Sequence, residues 1–344
     1  MSPSRLDKFL AGGWFRNCHL LFRSQLICLE GDVFSVVNIR LNLEKYNFSK
    51  SLRKIYRRNL KRFTFEIRHM QLDREKEQLF QKHRSRFKGF LFESLQHFFS
   101  EDLMGQQVFD TKEICVYDKE QLIAYSFFDE GQNSMASLLG VFDERYSKYS
   151  LGLFTMLLEI IYASTTNKQY YYPGYVLDQP SVFDYKLRLG EMEYYNWKGE
   201  WLPKEKITFS ANIASRLRSK IAEMQLTLSI WNVANKRILY PVFSLGYLGG
   251  FEGFVKSPIY LACYGHKNKG RFLIVEYLLE EKTYALSLVE KLGDFDDMIN
   301  MNATDDFLNE DKYCIRPLCY EKTLAKETDP NKMAAIVSKY VGVV

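Results

Sequence analysis

The thirteen residues LGLFTMLLEIIYA (151–163) form the longest apolar block of the chain and carry one charge, Glu159. The block is too short to span a bilayer. It predicts a helix over 150–165, opened by the polar, glycine-containing loop YSKYSLG. Its flanks narrow the choice of fold. Three strand-like segments precede it: GQQVFDTKEICVYD, EQLIAYSFFDEG and NSMASLLGVFD. Their connections, at Asp118–Lys119 and Gly131–Gln132, are short and predict an antiparallel meander. The segment KQYYYPGYV then reads as a buried strand ending at Pro173–Gly174. The order predicts an α+β domain whose mixed, mostly antiparallel sheet is flanked by helices.

On the N-terminal side, LICLEGDVFSVVNIRLNL alternates apolar and polar residues around a Gly-Asp turn and predicts a hairpin over 25–41. SKSLRKIYRRNLKR (49–62) follows, with seven Lys or Arg in fourteen residues and no acid. Ser49 or Ser51 can cap a helix there. Leu52, Ile55, Tyr56 and Leu60 recur at helical spacing, which leaves Lys50, Arg53, Lys54, Arg57 and Lys61 on another face. FTFEIRHM predicts a strand, and residues 73–84 and 88–99 predict helices. After the meander, helix and strand, a loop with Pro180 leads to VFDYKLRLG and the strand-like EMEYYNWKGEWLP. From about residue 207 the texture changes to one amphipathic helix, ANIASRLRSKIAEMQ, and short aromatic-rich strands. The acidic GDFDDMINMNATDDFLNEDK reads as a surface loop or short helix. These shifts divide the chain into an N-terminal hairpin and basic-helix region (1–68), a central sheet-and-helix domain (69–207) and a C-terminal α+β domain (208–344).

Charge is distributed unevenly. The net charge is +5 over 344 residues, yet residues 49–88 hold fourteen Lys or Arg against four Asp or Glu. A concentrated basic patch on a mildly acidic body favours a polyanion partner over a uniform excess of charge. The opening MSPSRLDKFLAGGWF lacks the apolar run of a secretory signal. Six scattered cysteines, Cys18, Cys28, Cys115, Cys263, Cys314 and Cys319, form no C-x-x-C pair and no pattern with the five histidines. They read as reduced thiols in a cytoplasmic protein with no zinc or iron–sulfur site. The dispersed His19, His69, His83, His97 and His266 argue against a Ser/His/Asp or Cys/His triad.

Four stretches in order over residues 35–203 resemble the aminoacyl-tRNA–protein transferases, the arginyl- and leucyl-transferases that modify protein N-termini. FSKSLRKIYRRN is similar to the family's basic stretch, and LIAYSFFDEG to the strand that ends in an Asp. GVFDERYSKYSLGLF is similar to the segment in which Ser-Leu-Gly opens a helix. YYYPGYVLDQPSVFDYKLRLGEMEYYNWKGEWLP resembles the element with Tyr-x-x-Gly-Tyr, a Tyr-Lys pair and a closing Pro. The resemblance implies a GNAT-like acyltransferase core. It implies transfer of an arginyl or leucyl group from tRNA to the α-amine of acceptors starting with Asp or Glu, feeding N-terminal degradation. The sequence departs from the family where a cysteine cluster commonly precedes the basic stretch. GDVFSVVNIRLNLEKYNF stands there, without cysteine. Residues 208–344 have no counterpart in the resemblance.

The reaction so implied is aminolysis of an ester, in which placement and oxyanion stabilisation carry much of the acceleration. It calls for aminoacyl-tRNA as co-substrate, no cofactor and no metal, and a monomer is expected. Lys50, Arg53, Lys54, Arg57, Arg58, Asn59 and Lys61 are the candidates for holding tRNA. Asp129 ends a central strand, where its carboxylate is expected to face the cleft and to orient or deprotonate the acceptor amine. Asp184, Tyr185 and Lys186 stand together in FDYK, Tyr185 as a donor to the carbonyl oxygen and Lys186 as the partner of phosphate or of an acidic acceptor. Tyr175 is expected to line the same pocket. The backbone N–H groups at Ser150 and Gly152 are expected to bind the donor's ester carbonyl or terminal phosphate. Two alternatives stand beside this reading: an acyl-CoA-dependent GNAT N-acyltransferase and a non-catalytic RNA-binding module. The single glycine of SKYSLGL disfavours the former, because close backbone approach to a pyrophosphate needs a glycine-rich run.

Overall fold

The computed structural model describes the chain apart from residues 18–19, 45, 85–92, 100–107, 208–211, 269–270, 293–308 and 343–344. In chain order the elements are α1 (Pro3–Ala11), β1 (Phe15–Asn17), β2 (Leu20–Phe22), β3 (Leu26–Leu29), β4 (Asp32–Asn42), α2 (Lys50–Leu60), β5 (Thr64–His69), α3 (Arg74–Arg84) and α4 (Leu95–Phe98). They continue with β6 (Thr111–Asp118), β7 (Gln121–Glu130), β8 (Ser134–Phe142), α5 (Leu151–Thr165), β9 (Tyr170–Leu177), β10 (Glu193–Tyr195), β11 (Trp201–Pro203) and α6 (Ile213–Ile230). The last are β12 (Asn235–Leu239), β13 (Ile259–Asn268), β14 (Arg271–Leu278), β15 (Thr283–Lys291), β16 (Leu318–Glu327) and α7 (Pro330–Val341). Two compact units result. One comprises residues 1–23, 36–87 and 92–207, the other residues 24–35, 88–91 and 208–344.

The sheet of the first unit runs in the order β11-β10-β4-β9-β8-β7-β6-β5. Neighbours are antiparallel except β8 and β9, which are parallel. The architecture is therefore α+β with a large, mostly antiparallel sheet. α5 makes the crossover from β8 to β9, as a parallel pair requires. Its apolar sequence is explained by its surroundings, for Leu151, Leu153, Phe154, Met156, Leu157, Leu158, Ile160 and Ala163 are all buried. They pack with Ile39 and Leu41 of β4, Ile114 of β6, Phe128 of β7 and Tyr171 of β9. Burying such side chains contributes about 1.5–3 kcal/mol each. The three-strand meander, the helix and the following strand stand where the sequence places them.

Four local expectations need correction. The hairpin turns at Glu30–Gly31, both with positive φ (45° and 85°), so Asp32 already belongs to the second strand. In α2 the fourth inward position is Asn59, fully buried, while Leu60 is 37% exposed. The helix expected over 88–99 is the short α4, and residues 85–92 lie outside the described part. β9 does not stop at Pro173–Gly174 but continues to Leu177. Ile39 pairs with Gly174 and Leu41 with Tyr171, so β9 carries one extra residue against β4. Such a bulge accommodates a proline, which cannot donate to the ladder, and a glycine at φ +97°.

The side of the sheet near β5 holds a buried ionic network. Lys76 of α3 donates to the Gln71 carbonyl and to Asp73 at 2.7 Å and lies 3.0 Å from Glu113 of β6. Arg68 of β5 approaches the same Glu113 oxygen at 2.7 Å. Two cations thus satisfy the Glu113 carboxylate, which has no access to water, and join three elements, while Asp73 pairs with Lys76 from its other side.

The second unit has five antiparallel strands in sequential order, β12-β13-β14-β15-β16. α6 and α7 pack on each other and on this sheet, with Leu217, Ile221 and Met224 of α6 and Met333 and Val337 of α7 in one core. The β3–β4 hairpin residues of this unit are held by Arg218, which donates to the Val33 carbonyl, and by Arg237, paired with Asp32. The expected helix 211–225 extends to Ile230, capped at its start by the Asn212 side chain on Ser215 N–H. Most of the acidic segment lies outside the described residues. Among the described residues no helix is long and apolar enough to cross a membrane.

Glu159 is the one charge on the buried α5 and is itself inaccessible. Its Oε2 accepts a 2.7 Å hydrogen bond from the Tyr171 hydroxyl, while Oε1 has no hydrogen-bond partner among the described residues. Burial pushes the carboxyl up from 4.5 to about 7. Across that window the folded carboxyl keeps a proton that the unfolded chain has released, so stability falls as pH rises. The loss sums to ~3 kcal/mol by linkage. Glu159→Gln abolishes this titration, and urea unfolding at the two ends of the window should show a smaller pH difference in the variant. Equal differences in both proteins would count against the assignment.

Candidate functional site

β8 and β9 are hydrogen-bonded through three residue pairs, Ser134–Tyr170, Met135–Tyr171 and Ala136–Tyr172. Beyond them the strands part. β8 continues against β7 to Phe142, and β9 continues against β4 to Leu177. Ser137, Leu138 and Leu139 are half-buried and Gly140 is exposed, although β8 is a central strand. The sheet therefore opens along the second half of β8, the half that leads into α5. A 3₁₀ turn, Glu144–Tyr149, joins the two. Ser150 then takes a left-handed conformation (φ 55°, ψ 49°) as the N-cap of α5 and makes no side-chain capping bond. The first-turn N–H groups of α5 thus have no side-chain acceptor there. Gly152 is helical, and a Cβ on it would meet Phe142 at an ordinary 3.7 Å, so its glycine is not sterically required.

On the β9 side of the opening stands an aromatic cluster around one amine. Tyr175 follows the bulge, and its ring lies 5.2 Å from Phe183 and 5.3 Å from Phe15 of β1. Lys186 comes from the 3₁₀ turn Asp184–Leu189. Its Nζ lies 5.4 Å from the Tyr175 ring and 5.2 Å from the Phe183 ring, and donates to the Tyr175 carbonyl at 3.3 Å. Among the described residues no carboxylate pairs with it. Burial lowers the ammonium to about 8 from 10.5, because water is lost and no anion replaces it. Gly174 makes room: a Cβ there would stand 3.2 Å from Nζ. Burial raises the Tyr175 phenol to about 12. Tyr185 is 41% exposed on the same turn. Asp184 serves the backbone instead, accepting from Ser181 N–H and Oγ at 3.2 Å each.

The basic helix borders the start of α5. Ser49 caps α2 through Leu52 N–H, and Leu52, Ile55 and Asn59 face inward. Lys50, Arg53, Lys54, Arg57 and Lys61 are all exposed and form a continuous outer face, while Arg58, exposed too, lies beside it with its guanidinium 5.3 Å from the Tyr149 ring centre. Asn59 is not part of that face. Its side-chain amide donates to the Tyr149 carbonyl at 2.9 Å, which ties α2 to the residue before Ser150. Its expected contact with nucleic acid is replaced by this structural bond.

Asp129 also departs from its expected place. It lies at the end of the sheet where β8 begins, paired with Thr111 of β6 and Ala136 of β8, whereas the strands part where β8 ends. It is fully buried, and its Oδ1 accepts from Arg16 Nη1 and Thr111 Oγ1 at 2.7 Å each. Burial raises its carboxyl against the pull of Arg16. Asp129 therefore anchors β1 to the sheet and does not face an open cleft. Of the residues singled out in the sequence, Lys186 stands against Tyr175 with Tyr185 next to it on the turn, whereas Phe15, Phe183 and Tyr149 were not singled out. Phe183 and Tyr149 stood inside the quoted FDYK and SKYSLG stretches, whereas Phe15 lies about 160 residues from its partner and left no local signal.

Comparison with known proteins places this geometry. Residues 56–196 match the family described as arginine-tRNA-protein transferase, C terminus. Aspartate/glutamate leucyltransferase of Leptospira interrogans is 28% identical over 192 residues, 54% of this chain and 72% of that protein. Arginyl-tRNA–protein transferase 1 of Saccharomyces cerevisiae is 34% identical over 76 residues, 22% of this chain and 15% of that protein. The solved structure of L-PGS from Bacillus licheniformis covers 42% of this chain and 48% of its own, at TM-score 0.34 and 16% identity, a likeness too loose to argue from. The matched segment spans the parted strands, the start of α5 and the last five residues of the basic helix, and these likenesses support an aminoacyltransferase of this kind.

Proposed function

We propose that the protein moves an aminoacyl group, leucyl or arginyl, from charged tRNA to the α-amine of polypeptides that begin with Asp or Glu. On this reading the products enter N-terminal degradation in the cytoplasm, and the first unit is a GNAT-like core. The observation that carries the proposal is the exposed basic face of α2, tied by Asn59 to the residue preceding α5. A polyanion held on that face brings its ester to the end of the sheet where β8 and β9 part. The name of the Leptospira relative, aspartate/glutamate leucyltransferase, supports leucine as donor group and acidic residues as acceptors.

The chemistry follows from the groups on either side of the opening. The neutral α-amine attacks the ester carbonyl carbon, and the C–N bond forms as charge develops on the carbonyl oxygen. Backbone N–H groups of the first turn of α5, from Leu151 onward, can donate to that oxygen. Tyr185 adds a hydroxyl donor. The C–O bond to the ribose then breaks, and the proton lost by the amine is gained by the ribose oxygen. Lys186 is the specificity residue: one of its three donors is used by the Tyr175 carbonyl, and a carboxylate from the acceptor's first side chain supplies the missing anion. Ser150 shapes the loop and Tyr175 walls the site. Asp129 and Asp184 have no part in the chemistry.

Tests are direct. Purified protein, tRNA charged with labelled leucine or arginine, and peptides starting with Asp, Glu, Asn or Lys should yield label only on the acidic peptides. Tight tRNA binding with no transfer to any peptide would favour a non-catalytic module. Arg53→Ala with Arg57→Ala should weaken tRNA binding and reduce its log–log salt slope by about two, one per lost phosphate contact; an unchanged slope would remove α2 from the interface. The kcat/KM for an Asp peptide should rise as the α-amine loses its proton and fall above about pH 8 as Lys186 loses its own. Lys186→Met should erase the alkaline fall and lower kcat/KM for Asp peptides by about 10–100-fold. An intact Asp-over-Asn preference in that variant would sink the role given to Lys186.

A further inference from the structure

Beyond the outer face of α2, a second group of cations gathers around one ring. Arg58 and Arg62, from α2 and the residues just after it, lie 5.3 and 5.0 Å from the Tyr149 ring centre, and Lys148 lies 5.3 Å from it. Asn59 holds the Tyr149 backbone through its carbonyl, and Phe63 meets the ring edge-on at 5.1 Å. The neighbouring acids are committed. Asp118 takes Arg62 at 3.3 Å and the Tyr146 hydroxyl at 3.0 Å, and Asp143 takes Arg145 through both of its oxygens. Arg58 and Lys148 are exposed, and among the described residues no carboxylate pairs with either. Two elements thus bring three cations to one half-buried aromatic with a single acid between them.

Resting on the transferase reading, we propose that Arg58, Arg62 and Lys148 around Tyr149 form a phosphate clamp for the single-stranded 3′ end of the donor tRNA. The clamp is distinct from the outer face of α2, which tracks the duplex backbone. Its position supports the assignment. Tyr149 is bonded to Ser150, the N-cap of α5, so a phosphate held there lies next to the turn proposed to receive the ester. A convergent group around a ring suits an unpaired nucleotide, whose phosphate pairs with cations while its base can stack. A broad helical face suits a duplex.

The experiment compares uncharged intact tRNA with the same tRNA trimmed of its unpaired 3′-terminal nucleotides, with binding read by fluorescence anisotropy over a salt series. The wild type should bind intact tRNA at least about tenfold more tightly, the loss on trimming reflecting about one decade for the clamp contacts. Arg58→Ala with Lys148→Ala should bring the affinity for intact tRNA down to that for trimmed tRNA and leave the trimmed affinity unchanged. Arg53→Ala with Arg57→Ala should weaken both by the same factor. Lys148→Glu, a single exposed change, serves as a second variant and should show the same selective loss. The clamp is overturned if the wild type binds both RNAs equally, or if the Arg58/Lys148 variant weakens both alike. Absence of any tRNA binding by the wild type would instead overturn the transferase reading, and the clamp with it.

Discussion

The first unit depends on one feature of its sheet: β8 and β9 remain paired for only three residue pairs before each turns to its other neighbour. A continuous parallel pair would bury both edges and close the sheet. Instead β8 stays with β7 and β9 with β4, and the bulge at Pro173–Gly174 diverts β9 away from β8. Proline cannot donate to a ladder, and the glycine conformation is open to few other residues. The opening is therefore built into two adjacent residues. α5, which must cross from one strand to the other, starts beside it. Tyr175 and Lys186 come to its other side because the chain has just been redirected.

Much of this was legible in the sequence. The meander, the apolar helix and the following strand each leave a periodic signature, and their order fixes the α+β class. The exposed basic face of α2 was legible because charge at helical spacing needs only local geometry. Partners distant in sequence were not. Asp129 looked like a strand-end carboxylate open to a cleft, and only Arg16, 113 residues away, shows it to be a buried anchor. Asn59 looked like part of a polar face until the carbonyl of Tyr149 showed which way the helix is rolled. Leu60 was the natural choice for the fourth inward position, and tertiary hydrogen bonding overrode hydropathy there. Lys186 was found in its turn, but its desolvation by Tyr175 and Phe183 could not be read from a spacing.

The two sides of the opening differ in physical character, which suits two different ligands. The α2 side is exposed, cationic and open to water, and its attraction for an anion is long-ranged and screened by salt. The Lys186 side is aromatic and half-buried, so a carboxylate there meets a cation that has already lost water. Exposure favours rapid capture of a large polyanion, and burial favours discrimination between small side chains. The second unit has its own sheet, helices and core.

The bond from Asn59 to the Tyr149 carbonyl joins the basic helix to the head of α5 through two neutral groups. Ionic strength therefore does not act on the joint that sets the direction of the positive face. Raising salt weakens the attraction of that face for any polyanion but leaves its direction fixed. A ligand that dissociates and returns meets the same alignment each time, and grip and aim are governed by separate forces.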